Sequence, residues 1–230
     1  MFKYIASLFA VCLLACSSLS APKSYVNHLS HSTVALVIPN DEGVFRPFCS
    51  GVFIDERKIL TAAHCVVGLA EHNETTTDHL QVHYLNDYEV QGMGQEPYAV
   101  HLAETVVVDE TRDLAELKLL GPDVKHETAK LVDGLPDIGA HVAIVGMPKG
   151  FYFTYEEGTV SGIRDASIAG LSGTAIQIQS AAYFGNSGGG AFDENGKLIG
   201  ICSRLTSIPQ MDLFMAVDKD VIKNLEKDKD

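Results

Sequence analysis

The chain is predicted to be all-β, built as a sandwich or as barrels. Three observations carry this. Short apolar runs recur along most of the 230 residues, separated by turn residues. Only one segment, close to the C-terminus, places apolar residues at helical spacing. The composition, with 20 glycines and no tryptophan, suits a turn-rich chain. Hydrophobic residues make up 46% and charged residues 20%, so the chain can bury a core and is not compositionally disordered. Lys and Arg number 17 against 30 Asp and Glu, a net charge of −13. That charge argues against nonspecific nucleic-acid binding, which needs cations for phosphates.

The elements follow in order. Residues 34–38 form an apolar run that ends in a turn cluster at 39–43. Residues 50–54 and 58–61 flank Asp55-Glu56-Arg57 and read as a hairpin. Residues 80–84 alternate with period two, and 105–108 and 114–120 are further strands. In the second half the expected strands are 141–145, 151–155, 159–163, 175–179, 190–192, 197–202 and 213–217. Residues 218–227 are expected to be helical through Val221, Ile222 and Leu225, with Asp218 as N-cap. The seam between halves falls near 121–139, giving expected units of 32–125 and 126–230. Residues 17–31 are polar and read as a tether or N-terminal arm.

The first 16 residues read as an address. Lys3 supplies a positive start, and residues 5–15 are an apolar run interrupted by Ser7. The run is too short to span a bilayer but suits a signal peptide. It ends Leu13-Leu14-Ala15-Cys16, which resembles the bacterial lipobox. On that reading Cys16 is the first mature residue and carries a lipid anchor to the membrane. Ser17, rather than Asp, after it favours the outer membrane in a Gram-negative host. The alternative is an ordinary secretory signal cleaved near Ala15 or Ala21. Both readings export the chain to the cell envelope or beyond, where disulfides are permitted.

Three segments carry chemistry. Ser187 lies in Gly185-Asn186-Ser187-Gly188-Gly189. A serine hydroxyl needs a base to take its proton and donors aimed at the oxyanion formed on attack. Glycines allow the sharp turn that presents the amides of Gly185 and Ser187 as such donors. His64, in Thr61-Ala62-Ala63-His64-Cys65, is the candidate base. Asp113 precedes Leu114-Ala115-Glu116-Leu117, so its carboxylate sits at the mouth of a buried strand and can orient an imidazole. Asp109 is a rival for that role, or a turn residue. His79 and His83 share i, i+4 spacing, but on a strand that spacing does not converge, and no metal site or cofactor is expected.

Together these segments resemble the chymotrypsin-like (trypsin-like) serine proteases. The order His, Asp, Ser is theirs, and the serine motif has the form common in bacterial members, including the HtrA type. The resemblance covers roughly residues 32–220. It implies two antiparallel six-stranded β-barrels with a short C-terminal helix, and an active site between them. It implies a serine endopeptidase acting on protein or peptide substrates through His64, Asp113 and Ser187. It also implies a Cys49–Cys65 disulfide, which leaves Cys202 as a buried, inert thiol. Ser203 stands where a family serine touches the triad Asp, and residues from Cys202 through Ser203 and Arg204 should pair with substrate backbone. Ala181 and Ala182 stand on the wall of the primary specificity pocket and suggest a small or medium apolar residue before the scissile bond. Asn186 is neutral where mammalian members carry an Asp that pairs with a new N-terminal ammonium, so activation by cleavage is not expected. The competing reading is a catalytically silent peptide-binding lipoprotein on the same fold, with a closed oxyanion hole.

Overall fold

A computed structural model describes residues 21–39, 44–67, 79–85, 98–122, 125–205 and 211–227. The first six strands are β1 (Thr33–Pro39), β2 (Phe45–Phe53), β3 (Lys58–Thr61), β4 (His79–Leu85), β5 (Tyr98–Asp109) and β6 (Leu114–Leu119). They close into an antiparallel barrel in the order β1-β2-β3-β6-β5-β4. The closing seam pairs Val34 with Tyr84 and Leu36 with Val82. The second six are β7 (His141–Gly146), β8 (Thr154–Asp165), β9 (Thr174–Gln179), β10 (Gly190–Phe192), β11 (Leu198–Leu205) and β12 (Asp212–Ala216). They close in the order β10-β11-β12-β9-β8-β7. Closure removes the exposed edges that open sheets must protect.

One apolar cluster joins the barrels. It runs from Val34, Phe53, Leu60 and Leu117 of the first to Val145, Phe192, Ile201 and Met215 of the second. A further cluster, with Ile144, Ile176, Ile178 and Phe214, fills the second barrel. The cleft between barrels is therefore backed by continuous packing rather than by a linker.

Two expectations need correction. Within the stretch 17–31, read as a tether or N-terminal arm, Lys23–His31 is a helix, α1, that the sequence reading did not assign. Its Leu29 is fully buried and Tyr25 packs against the same core. The Tyr25 hydroxyl donates to the carbonyl of Asp193 at 2.5 Å, so α1 reaches the second barrel as well. A single i, i+4 apolar pair anchors it, a signal too thin to stand out among polar neighbours. The second correction concerns 151–155 and 159–163. Phe153 has φ 51°, so extended chain begins only at Thr154 and then runs unbroken through Asp165. Gly158 looks like a break in the sequence. It is instead a close approach: a Cβ there would lie 2.9 Å from the Gln179 carbonyl oxygen.

The C-terminal helix, α2 (Lys219–Lys227), is capped as expected, with Asp218 Oδ1 accepting from the amides of Asp220 and Val221 at 2.9 and 2.8 Å. It returns to pack Ile222 and Leu225 into the joint core, and Glu226 pairs with Lys58 of β3. Among the described residues no helix is long and apolar enough to cross a membrane. The expected leader, with Cys16, lies outside the described residues.

Candidate active site

His64 lies three residues past the end of β3, at the start of a short helical turn. The turn is closed by the amides of Cys65 and Val66 bonding back to Ala62 and Ala63. Cys65 is bridged to Cys49 of β2, which ties this turn to the neighbouring strand. Cys49, His64 and Cys65 crowd together, but the bridge occupies both sulfurs, so they are not a metal site.

Asp113 lies just before β6 and adopts a left-handed backbone, φ 52°, which Asp tolerates better than most residues. This turns its carboxylate toward His64. Asp113 Oδ1 accepts from the His64 amide at 3.0 Å, and the ring Nδ1 lies 2.9 Å from Oδ2 and 3.0 Å from Oδ1. An ionised carboxylate only accepts, so Nδ1 carries the proton and Nε2 is left as an acceptor. Ser203 donates its hydroxyl to Asp113 Oδ2. Burial works to raise the Asp113 carboxyl, but hydrogen bonds from His64 and Ser203 outweigh it and hold it below the usual carboxylate range. The Asp113 side chain is 6% exposed while that of His64 is 45% exposed, so one edge of the ring meets a buried charge while the rest stays accessible. Asp109 ends β5 and caps the turn that follows: its carboxylate accepts from Thr111 and Arg112.

Ser187 is held differently. Its carbonyl accepts from the Ser50 amide of β2 at 2.7 Å, and Cys65 Sγ lies 3.7 Å from the same oxygen. The loop that bears Ser187, from the second barrel, thus rests on the first barrel beside the His64 turn. Among the described residues no hydrogen bond joins the Ser187 hydroxyl to the His64 ring; such contacts commonly tighten only when substrate is bound. Gly185 has φ 102°, and a Cβ there would lie 2.1 Å from the Met147 carbonyl oxygen. Gly188 has φ 79°, and a Cβ would lie 2.1 Å from Thr61 Oγ1. Both positions demand glycine on conformation and on space.

The peptide planes on either side of Gly185 are clamped. The Phe184 carbonyl accepts from the Lys149 amide at 2.7 Å, and the Gly185 carbonyl accepts from the Ser50 hydroxyl at 2.7 Å. In a planar trans peptide the C=O and N–H point opposite ways, so binding the Phe184 carbonyl to Lys149 turns the Gly185 N–H away from Lys149.

A family model described as a trypsin-like peptidase domain matches residues 49–201. The chain belongs to this family. A probable periplasmic DegP-like serine endoprotease of Brucella suis is 35% identical over 120 residues, covering 46% of this chain and 23% of that protein. The chain thus spans about a quarter of the length of such curated relatives. A serine endoprotease from Yersinia pestis shares the fold with a TM-score of 0.65 at 18% identity, over 91% of this chain and 68% of that one. The HtrA-type protease AlgW, solved with a decapeptide, gives a TM-score of 0.68 at 20% identity, over 88% and 66%.

The remaining positions on this trypsin-like scaffold are placed as follows. Ser203 sits at a register shift in the β11–β12 pairing, which aims its side chain at Asp113. β11 pairs with β10 as far as Ile201, and beyond Cys202 its described pairing is with β12 alone. Among the described residues no strand pairs with the other edge at Ser203 and Arg204. The Cys202 thiol is buried in the core of the second barrel, and burial pushes its pKa up. Only its backbone faces the loop, accepting from the Gly188 amide at 2.8 Å. Ala181 is exposed and Ala182 half-buried. Behind them Ser180 donates to the buried Asp212 at 2.7 Å, a carboxylate that sequence reasoning missed; burial raises its pKa. Asn186 is buried against Gly146, and Glu156 lies beside it with its pKa raised by burial. Ser50 was missed too, because nothing in a small residue beside Gly51 marks it in the sequence.

Proposed function

We propose that the chain is an exported serine endopeptidase that works through an acyl-enzyme intermediate. The observation that carries this is the His64 ring fixed by two contacts to a buried, ionised Asp113, beside the loop that bears Ser187. His64 Nε2 accepts the Ser187 proton as Oγ bonds to the scissile carbonyl carbon. The carbonyl electrons move onto oxygen, and the amides of Gly185 and Ser187 receive that charge. The imidazolium, stabilised by Asp113, then protonates the departing amine as the C–N bond breaks. Water attacks the resulting ester by the same route in reverse. The edge of β11 at Ser203 and Arg204 would add the extended substrate as a strand. Ala181 and Ala182 would favour a small or medium apolar side chain before the scissile bond.

A silent binding protein would need the Phe184 carbonyl turned into the cleft. Against it stands the Lys149 bond that holds this carbonyl elsewhere. Export rests on the leader and agrees with the periplasmic naming of the Brucella relative. Lipidation at Cys16 is tested by Cys16→Ser, which should move the protein from the membrane to the soluble fraction; unchanged partitioning rules the lipid out. For the activity, the full chain should cleave an unfolded protein substrate, and Ser187→Ala should not. Cleavage that survives in Ser187→Ala would end this reading.

A further inference from the structure

We infer that Ser50, a residue of the first barrel outside the triad, is a positioning residue for the oxyanion hole of the second. Ser50 is fully buried on β2 and makes three links to the nucleophile loop and its support. Its amide donates to the Ser187 carbonyl at 2.7 Å. Its hydroxyl donates to the Gly185 carbonyl at 2.7 Å and accepts from the Met147 amide at 3.1 Å. A hydroxyl has one proton to give and lone pairs to receive with, so both bonds form at once.

The two hydroxyl bonds reach both peptide planes of Gly185. The bond to the Gly185 carbonyl fixes the plane after it. The bond from Met147 fixes the start of the turn 147–150, whose Lys149 amide holds the Phe184 carbonyl and thus the plane before it. That turn needs holding. Lys149 sits at φ 53°, a left-handed backbone unfavourable for a side-chain-bearing residue. Without the hydroxyl, the buried Gly185 carbonyl and Met147 amide both lose a partner, and each would rotate to find another. Gly185 has no Cβ to resist that rotation. The Gly185 N–H would then leave the direction in which the oxyanion forms. Ser50 is in this sense the means by which docking of the barrels sets the hole.

The inference rests on the proposed hydrolase reading, and its test separates the two. The full chain and its Ser50→Ala variant are labelled with a fluorophosphonate, which reacts only where an activated serine and a formed hole coexist. Ser50→Ala should label about 10- to 100-fold more slowly, at or somewhat below the loss seen when one oxyanion donor is deleted outright. The downfield NMR signal of the His64–Asp113 proton should stay where it is, which a general loosening of the site would not allow. Ser50→Cys, isosteric with a weaker donor, should label at an intermediate rate, and it decides the matter if alanine at 50 does not fold. Wild-type rates in folded Ser50→Ala, or in folded Ser50→Cys where alanine does not fold, overturn the positioning role. A folded wild type that does not label at all overturns the hydrolase reading instead.

Discussion

The two halves of the site are built on different principles. The His64–Asp113 half is made of side chains bonded to one another: ring nitrogen, carboxylate and the Ser203 hydroxyl. The Ser187 half is made of backbone: the carbonyls of Phe184, Gly185 and Ser187 are each bound by a donor from elsewhere. In the first half chemistry is encoded by residue type. In the second it is encoded by peptide orientation, which residue type only permits.

The difference predicts different ways to break each half. The largest effect should come from Asp113→Asn. The amide keeps the shape but can hold the imidazole in the wrong tautomer, and kcat/KM should fall about 10⁴-fold on the triad precedent. A fall under tenfold would mean that Asp113 does not orient His64. Removing the Cys49–Cys65 bridge as a double alanine variant frees a short loop between the first barrel's two contributions. Stability should drop by about 3 kcal/mol by the loop-entropy estimate, read as a lower denaturant midpoint. An unchanged midpoint would place the rigidity of the His64 turn elsewhere.

On the backbone side, Gly188→Ala must push a methyl into Thr61 and the Ser50 carbonyl at a left-handed φ. It should lose about 2 kcal/mol. At roughly 2–4 °C per kcal/mol for a chain of this size, Tm should fall by several degrees. Labelling of Ser187 should fall with it, though no reactive group has been removed. Wild-type Tm and labelling together would show that the loop has room the structure does not.

The smallest effect concerns pH. His83 of β4 is buried, bonds Tyr152 of the turn after residue 150 at 3.0 Å, and has its pKa lowered by burial from 6.5 to about 4. The unfolded chain therefore binds a proton near pH 6.5 that the folded chain accepts only near pH 4. Stability from this residue is complete above pH 6.5 and is lost as pH falls toward 4. His83→Gln should flatten the melting profile across that window. An equal slope in the variant would exclude His83 as a source.

The same division explains what the sequence disclosed. His64, Asp113 and Ser187 could be nominated from the sequence because side-chain chemistry restricts residue type, and the fold brings His64 against Asp113 beside the Ser187 loop. The recurring apolar runs disclosed an all-β chain, a sandwich or barrels, and only the family resemblance chose two barrels; α2 was legible through Asp218 and its apolar stripe. The bulge at Ser203, the left-handed Lys149 and the Ser50 bonds were not. They depend on which strands meet across two closed barrels, and a small residue in a strand carries no mark of its partner. Helix α1 was hidden for a related reason, since one buried Leu29 and one Tyr25 anchor nine residues. The continuity of β8 through Gly158 was hidden because a glycine required by close approach looks the same as one required by φ.

The most direct test of the account is to locate the fluorophosphonate adduct. The full chain is labelled, digested and sequenced by mass spectrometry, beside Ser187→Ala. One adduct per chain is expected, on the Ser187 hydroxyl, and none in the variant. A folded wild type without adduct, or an adduct on any other residue, would contradict it.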